Sequence, residues 1–136
     1  MKFDKESLIK DGHGELFSIL EVAGAYDEDG EIDKELLSGV LKYLSTNDDY
    51  FEYDESGSIV DIVEDVAKQN GYEIVDNDGG YEGSGEYVYA VFKLGDKFYK
   101  TEWSYYSHYG YGDSFESLWD SIKVVTPKTV EVVKYV

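Results

Sequence analysis

The sequence predicts an α+β fold in which about three N-terminal helices pack on a C-terminal antiparallel β-sheet carrying an aromatic loop. Three observations predict it. Apolar residues recur at helical spacing as far as residue 69, apolar and polar residues alternate from residue 86, and a glycine-rich run separates the two regimes.

The first helix spans residues 15 to 24, where Leu16, Ile19, Leu20 and Ala23 make one apolar stripe. A polar break from Tyr26 to Glu31 follows. Asp33 is then placed to cap a second helix with the stripe Leu37, Val40, Leu41 and Leu44, so the pair reads as a helical hairpin. A third helix begins at Ser56 or Ser58, carries Ile59, Ile62, Val63 and Val66, and ends on Asn70-Gly71 as a left-handed cap. Its acidic residues Asp61, Glu64 and Asp65 fall on the opposite face, which favours helix over strand. Tyr72 to Val75 suits a short strand. From Glu86, the residues Val88, Ala90, Phe92 and Leu94 point one way while Tyr87, Tyr89, Val91 and Lys93 point the other. Gly95-Asp96 is a two-residue turn with glycine first, and it leads into a strand from Lys97 to Trp103. After the loop Tyr105 to Asp113, a short helix at Ser114 to Trp119 takes Ser114 as its cap. Strands at Ile122 to Thr126 and Thr129 to Tyr135 flank the only proline, Pro127. One domain is expected over residues 1–136, with an acidic helical part at 1–71, a glycine-rich loop at 76–86 and the sheet at 86–136.

The 136 residues include 30 Asp plus Glu against 12 lysines and no arginine, a net charge of −18. Residues 1–90 hold 24 carboxylates and 6 lysines, whereas residues 91–136 hold 6 of each, so the whole excess belongs to the first part. A small domain needs only about 2 to 8 net charges for solubility, and more costs stability through self-repulsion. The absence of cysteine excludes disulfides, thiolate metal sites and cysteine nucleophiles. No stretch approaches the ~20 apolar residues of a membrane span, and a soluble, cytoplasmic protein is expected.

The run Gly79-Gly80-Tyr81-Glu82-Gly83-Ser84-Gly85 lacks the Lys-Ser/Thr ending of a phosphate-binding loop, and its acidic neighbours repel phosphate. Direct nucleic-acid binding is disfavoured for the same reason of sign. Asp27, Asp29 and Asp33 have part of the spacing of a calcium-binding loop. Counting Gly30 as the sixth loop position, however, puts Ala25 and Leu36 where the first and last acidic ligands belong. An acidic turn is therefore expected, with those three aspartates as weak metal candidates and no cofactor. A similar Asp-Gly-Glu-Ile turn occurs in tellurite-resistance TerB-like proteins. His13 and His108 are the only imidazoles, no nucleophile-elbow motif accompanies them, and surface roles are expected for both. No reaction is assigned.

Two features suit recognition. One is the dense carboxylate set Asp48, Asp49, Glu52, Asp54, Glu55, Asp61, Glu64 and Asp65, supplemented by Glu15, Glu21, Asp33 and Glu35 on the helices. The other is the cluster Trp103, Tyr105, Tyr106, Tyr109 and Tyr111 among serines and glycines, followed by Trp119. Tyr and Trp give large contact area at small entropy cost, so these rings serve either as a contact surface or as a cover between sheet and helices.

The string Val91 to Lys100, followed by Ser104-Tyr105-Tyr106-Ser107-His108-Tyr109-Gly110, Trp119 and Val124-Val125-Thr126-Pro127-Lys128-Thr129-Val130, resembles the ends of small phage-encoded proteins of largely unknown function. The resemblance covers about a third of the chain. It implies a viral origin and a host-directed interaction, and it carries no catalytic motif.

The expected function is that of an acidic inhibitor that imitates nucleic acid and blocks a cationic site of a host or defence protein. DNA presents one charge per ~1.7 Å of axis, a density that carboxylates held on rigid helices can match. The alternative is a small module that binds protein, peptide or glycan through its Tyr/Trp loop.

Overall fold

A computed structural model describes residues 1–47, 58–79, 87–105, 113–114 and 118–128. It is an α+β arrangement, helices first. The helices are α1 (Lys5–Lys10), α2 (Gly14–Val22), α3 (Lys34–Thr46), α4 (Ser58–Gln69) and the single turn α5 (Leu118–Ser121). The strands are β1 (Glu73–Asp78), β2 (Tyr87–Leu94), β3 (Lys97–Tyr105), β4 (Asp113–Ser114) and β5 (Lys123–Val125). Among the described residues all strand pairings are antiparallel, in the order β1-β2-β3, with β5 and β4 pairing with the first and last parts of β3 respectively.

The helices start where the chain supplies acceptors for free backbone amides. Asp4 accepts from the Ser7 amide at 3.0 Å to begin α1, and Asp33 accepts from the Glu35 and Leu36 amides at 2.9 and 3.2 Å to begin α3. Helix α1 is absent from the sequence reading because, with Leu8 as its one buried residue, it has no repeating apolar stripe. In α3 the expected stripe is buried in full. In α4 the buried residues are Val60, Val63 and Ala67, while Ile62, expected inside, is 45% exposed. The spacing of Val60, Val63 and Ala67 matches one helical face, and it turns Ile62 outward. Gly71, at φ +72°, closes α4 as expected, and Asn70 accepts the Gly95 amide at 2.6 Å, tying the helix end to the β2–β3 turn. Gly95 itself has φ +62°, the backbone that a glycine-first hairpin requires.

Strand β2 alternates as the sequence implies, with Val88, Ala90, Phe92 and Leu94 buried. Through the register Phe92 with Tyr99, Ala90 with Thr101 and Val88 with Trp103, β3 presents its own buried row on the same face. Strand β1 runs to Asp78, beyond the expected Val75. A bulge between Ile74 and Asp76 sets Asp76 and Asp78 opposite Val91 and Tyr89 on the outer face. The expected helix at Ser114 to Trp119 is corrected: Ser114 pairs with Ser104 in β4, and the helical turn begins at Leu118. The strand expected at Thr129 to Tyr135 lies outside the described residues.

Helices and sheet share one apolar core. A column of rings crosses it: Tyr43 to Tyr72 at 5.7 Å, Tyr72 to Phe92 at 6.3 Å, Phe92 to Tyr99 at 5.4 Å and Tyr99 to His13 at 5.5 Å between centroids. Each such pair contributes ~0.5–1.5 kcal/mol beyond its buried area. Three hydrogen bonds pin the layers: His13 Nδ1 with the Tyr99 hydroxyl at 2.8 Å, Ser45 with Thr101 at 2.7 Å, and the Tyr72 hydroxyl donating to the Leu44 carbonyl at 2.7 Å. His13 is thus not the surface residue expected from its glycine neighbours; it is 6% exposed. Burial pushes its pKa below the ordinary value, with Lys97 adding to the shift while Asp11 and Glu15 oppose it. Among the described residues no helix is long and apolar enough to cross a membrane.

Candidate functional site

Four chain segments meet at Tyr26: the residues before α1, the end of α2, the turn after it and the start of α3. The Tyr26 hydroxyl donates to the Phe3 carbonyl at 2.5 Å, and its ring lies 5.3 Å from Phe17. Its backbone forms an isolated antiparallel bridge with Ile32. Asp27 to Glu31 fill the turn between the bridged residues. The Asp27 carboxylate accepts from the amides of Asp29 and Glu31, both at 2.9 Å, and the Asp33 amide donates to the Ala25 carbonyl at 2.7 Å. An aspartate that satisfies its own turn in this way makes the loop rigid.

Around Tyr26 this geometry gathers Asp4, Glu21, Asp27, Glu28, Asp29, Glu31, Asp33 and Glu35, all exposed. Of these, Asp4 and Glu21 act on Tyr26 itself, whose phenol is pushed up to about 12 by burial first and then by their negative charges. Three of the eight carboxylates are held by backbone amides, which satisfy hydrogen bonding without cancelling charge. The Ser7 amide holds Asp4 below the usual carboxylate range. The N-termini of α1 and α3 add a favourable dipole for Asp4 and Asp33. Two nearby lysines are turned to rings, Lys5 5.6 Å from the Phe17 centroid and Lys34 5.0 Å from Trp119, while Lys2 adds a smaller pull on Asp4. The ion pairs among the described residues lie elsewhere, at Glu64–Lys68 and at Glu102 with Lys100 and Lys123.

Among the sequence-nominated acids, Asp61 and Asp65 are exposed on α4, and Glu64 is bound to Lys68 at 2.7 Å. Glu64 sits close enough to Tyr43 to act on its pKa, and Tyr43 lies two helical turns, about 12 Å, beyond Glu35 along α3. Glu64 therefore belongs to the other end of α3 and does not join the Tyr26 group. Asp48, Asp49, Glu52, Asp54 and Glu55 lie outside the described residues, as do Tyr106 and Tyr109. Tyr105 pairs through its backbone with Asp113. Trp103, nominated for contact, is corrected. It points into the core at 8% exposure because β3 places it on the same face as Tyr99 and Thr101. Asp27, Asp29 and Asp33, considered for a metal, do not converge. The carboxylates of Asp27 and Asp33 point back to amides of their own segments, and among the described residues no three His, Asp or Glu side chains form a metal site.

No protein-family model, curated protein or solved structure matches the chain. The acidic end must be read from its own residues. Asp4, Glu28 and Glu31 were missing from the sequence nominations, although six carboxylates in nine residues, from Asp27 to Glu35, were the signal. What remained hidden was the meeting of that run with Asp4 and Glu21 through Tyr26.

Proposed function

We propose that the protein is an acidic binding protein that presses its Tyr26 end onto a cationic surface of a partner, one that normally receives nucleic acid, and blocks it. One observation carries the reading: eight exposed carboxylates lie on the starts of α1 and α3, the last turn of α2 and a self-bonded turn, and none forms an ion pair among the described residues. A rigid array costs less ordering entropy on binding than charges on loose chain. Its field accelerates encounter with an oppositely charged protein. A phage-type origin, a host or defence protein as the partner, and action in the cytoplasm complete the proposal, which assigns the chain no reaction.

Capture of partners from a host lysate tests it, with elution by rising salt and identification of what is retained. The expected catch is a basic, nucleic-acid-binding protein released as salt shortens the screening length from ~8 Å near physiological strength to ~3 Å at 1 M. A partner retained equally at both strengths, or still able to bind its nucleic acid while complexed, would overturn the reading.

A further inference from the structure

A recess of about 270 Å³ opens beside the acidic end. Phe3, Ile32 and Leu37 supply its apolar floor, and Trp119, Asp120 and Asp4 also line it, the Asp4 carboxylate accepting from the Ser7 amide at 3.0 Å as well. Lys34, also in the lining, holds its ammonium 5.0 Å from the centre of the Trp119 ring. The chain has therefore placed a cation of its own on that indole.

We propose that the recess is a socket for an arginine side chain of the cationic partner, an inference that rests on the function proposed above. An arginine stem is apolar and suits the floor, whereas its planar guanidinium stacks on indole and hydrogen-bonds carboxylates. Lys34 acts as a placeholder. It is exposed at the first turn of α3, and swinging it out frees the ring face that the guanidinium takes. Arginine is favoured over lysine because a guanidinium is more weakly hydrated and gains two kinds of contact at once, the ring and the carboxylates. An anionic ligand is disfavoured by Asp4, by Asp120 and by the acidic run from Asp27 to Glu35 alongside.

The test is an NMR titration of the full chain with the capped peptide Gly-Arg-Gly, its lysine counterpart and its citrulline counterpart, which has nearly the shape of arginine without the charge. Saturable shifts of the Trp119 indole N–H and of the Ile32 and Leu37 amides are expected with arginine, weaker ones with lysine and none with citrulline. Lys34→Ala, by removing the competitor, should tighten arginine binding about two- to fivefold more than the charge-matched Lys10→Ala. Trp119→Leu should abolish saturation, and Asp120→Asn, which leaves the ring in place, should weaken it. Equal binding of arginine and citrulline, or arginine shifts indifferent to Trp119→Leu, Asp120→Asn and Lys34→Ala alike, would overturn the socket. A twelve-residue polylysine separates the two proposals. If it shifts Glu28, Asp29 and Glu31 in a salt-sensitive way while the arginine peptide leaves Trp119 untouched, the socket falls and the acidic docking end stands. If neither probe binds, both fall.

Discussion

The end around Tyr26 and the outer face of the sheet around Tyr89 are both tyrosine-centred surfaces rich in carboxylates, but of the two only the sheet forms ion pairs among the described residues. On the sheet, the Tyr89 hydroxyl donates to Asp76 at 3.2 Å, Lys100 lies 4.7 Å from the Tyr89 ring centre, and Glu102 sits between Lys100 and Lys123 at 3.8 and 3.6 Å. Glu73 stands opposite Lys93 in the β1–β2 register. Around Tyr26, the bound carboxylates bind peptide amides, which carry no net charge. A sheet brings distant strands side by side, so opposite charges can be placed across the ladder. Helix starts and tight turns bring acids to amides of their own segment, and the field survives.

The largest effect should come from erasing that field. The side chains of Glu21, Glu28, Asp29 and Glu31 accept no hydrogen bond from the described chain, so replacing them together by Gln or Asn removes charge without removing a cap. At roughly 0.3–0.7 kcal/mol per rim charge, partner affinity should fall on the order of 10- to 100-fold, mainly through a slower association rate. The melting temperature should hold or rise, because self-repulsion is relieved. The matching set on the sheet, Glu73, Asp76, Asp78 and Glu102, should leave affinity nearly unchanged in surface plasmon resonance. Equal losses from the two sets would erase the distinction between the faces.

Asp33 separates charge from capping at a single residue. Asp33→Ala loses both amide contacts of the α3 start and should destabilise the protein by about 1 kcal/mol in urea denaturation. Asp33→Asn keeps a good cap and should recover most of that stability while remaining weaker in partner binding. If Asn fails to restore stability, the dipole and not the hydrogen bonds dominates at this end.

His13 extends the comparison inward, as a titratable group buried between the two surfaces. Its folded pKa lies below the unfolded value of about 6.5, so the unfolded chain takes up the proton first as pH falls. Its contribution to stability is complete above ~6.5 and is lost as pH drops from there through the lowered folded value. Because carboxylate protonation changes stability in the same range, the quantity to measure is the difference between wild type and His13→Phe from pH 7.5 to 5. The wild type should lose ground to the variant over that interval. A flat difference would mean that His13 pays no burial penalty.

The elements with simple periodicity were legible from the chain. The buried row Val88, Ala90, Phe92, Leu94, the turn at Gly95, the Asp33 cap and the Gly71 stop each depend on residues within a few positions, and all are present. The failures share the opposite property. Glycines on both sides of His13 suggested exposure, but its burial depends on Tyr99, 86 residues away. The Trp103 ring looked like part of a contact loop until the β2–β3 register fixed which face it takes. The acidic end was half legible: the run from Asp27 to Glu35 is local, whereas Asp4 and Glu21 join it only through the tertiary contacts of Tyr26.

The smallest effect tests the sheet side of the comparison. Glu102 joins two lysines, and its side chain is 34% exposed, with Lys123 at 57%. Exposed pairs at such distances contribute little, since water screens the attraction and ordering long side chains costs entropy. Glu102→Gln should therefore change stability by less than ~0.5 kcal/mol, because the backbone amide of Glu102, which donates to the Ser121 hydroxyl at 3.0 Å, is kept. A loss above ~1 kcal/mol would show the lysines to be a destabilising cluster that Glu102 holds in check. The sheet would then be a second charged surface in its own right, and the contrast with the Tyr26 end would be one of sign instead of neutralisation.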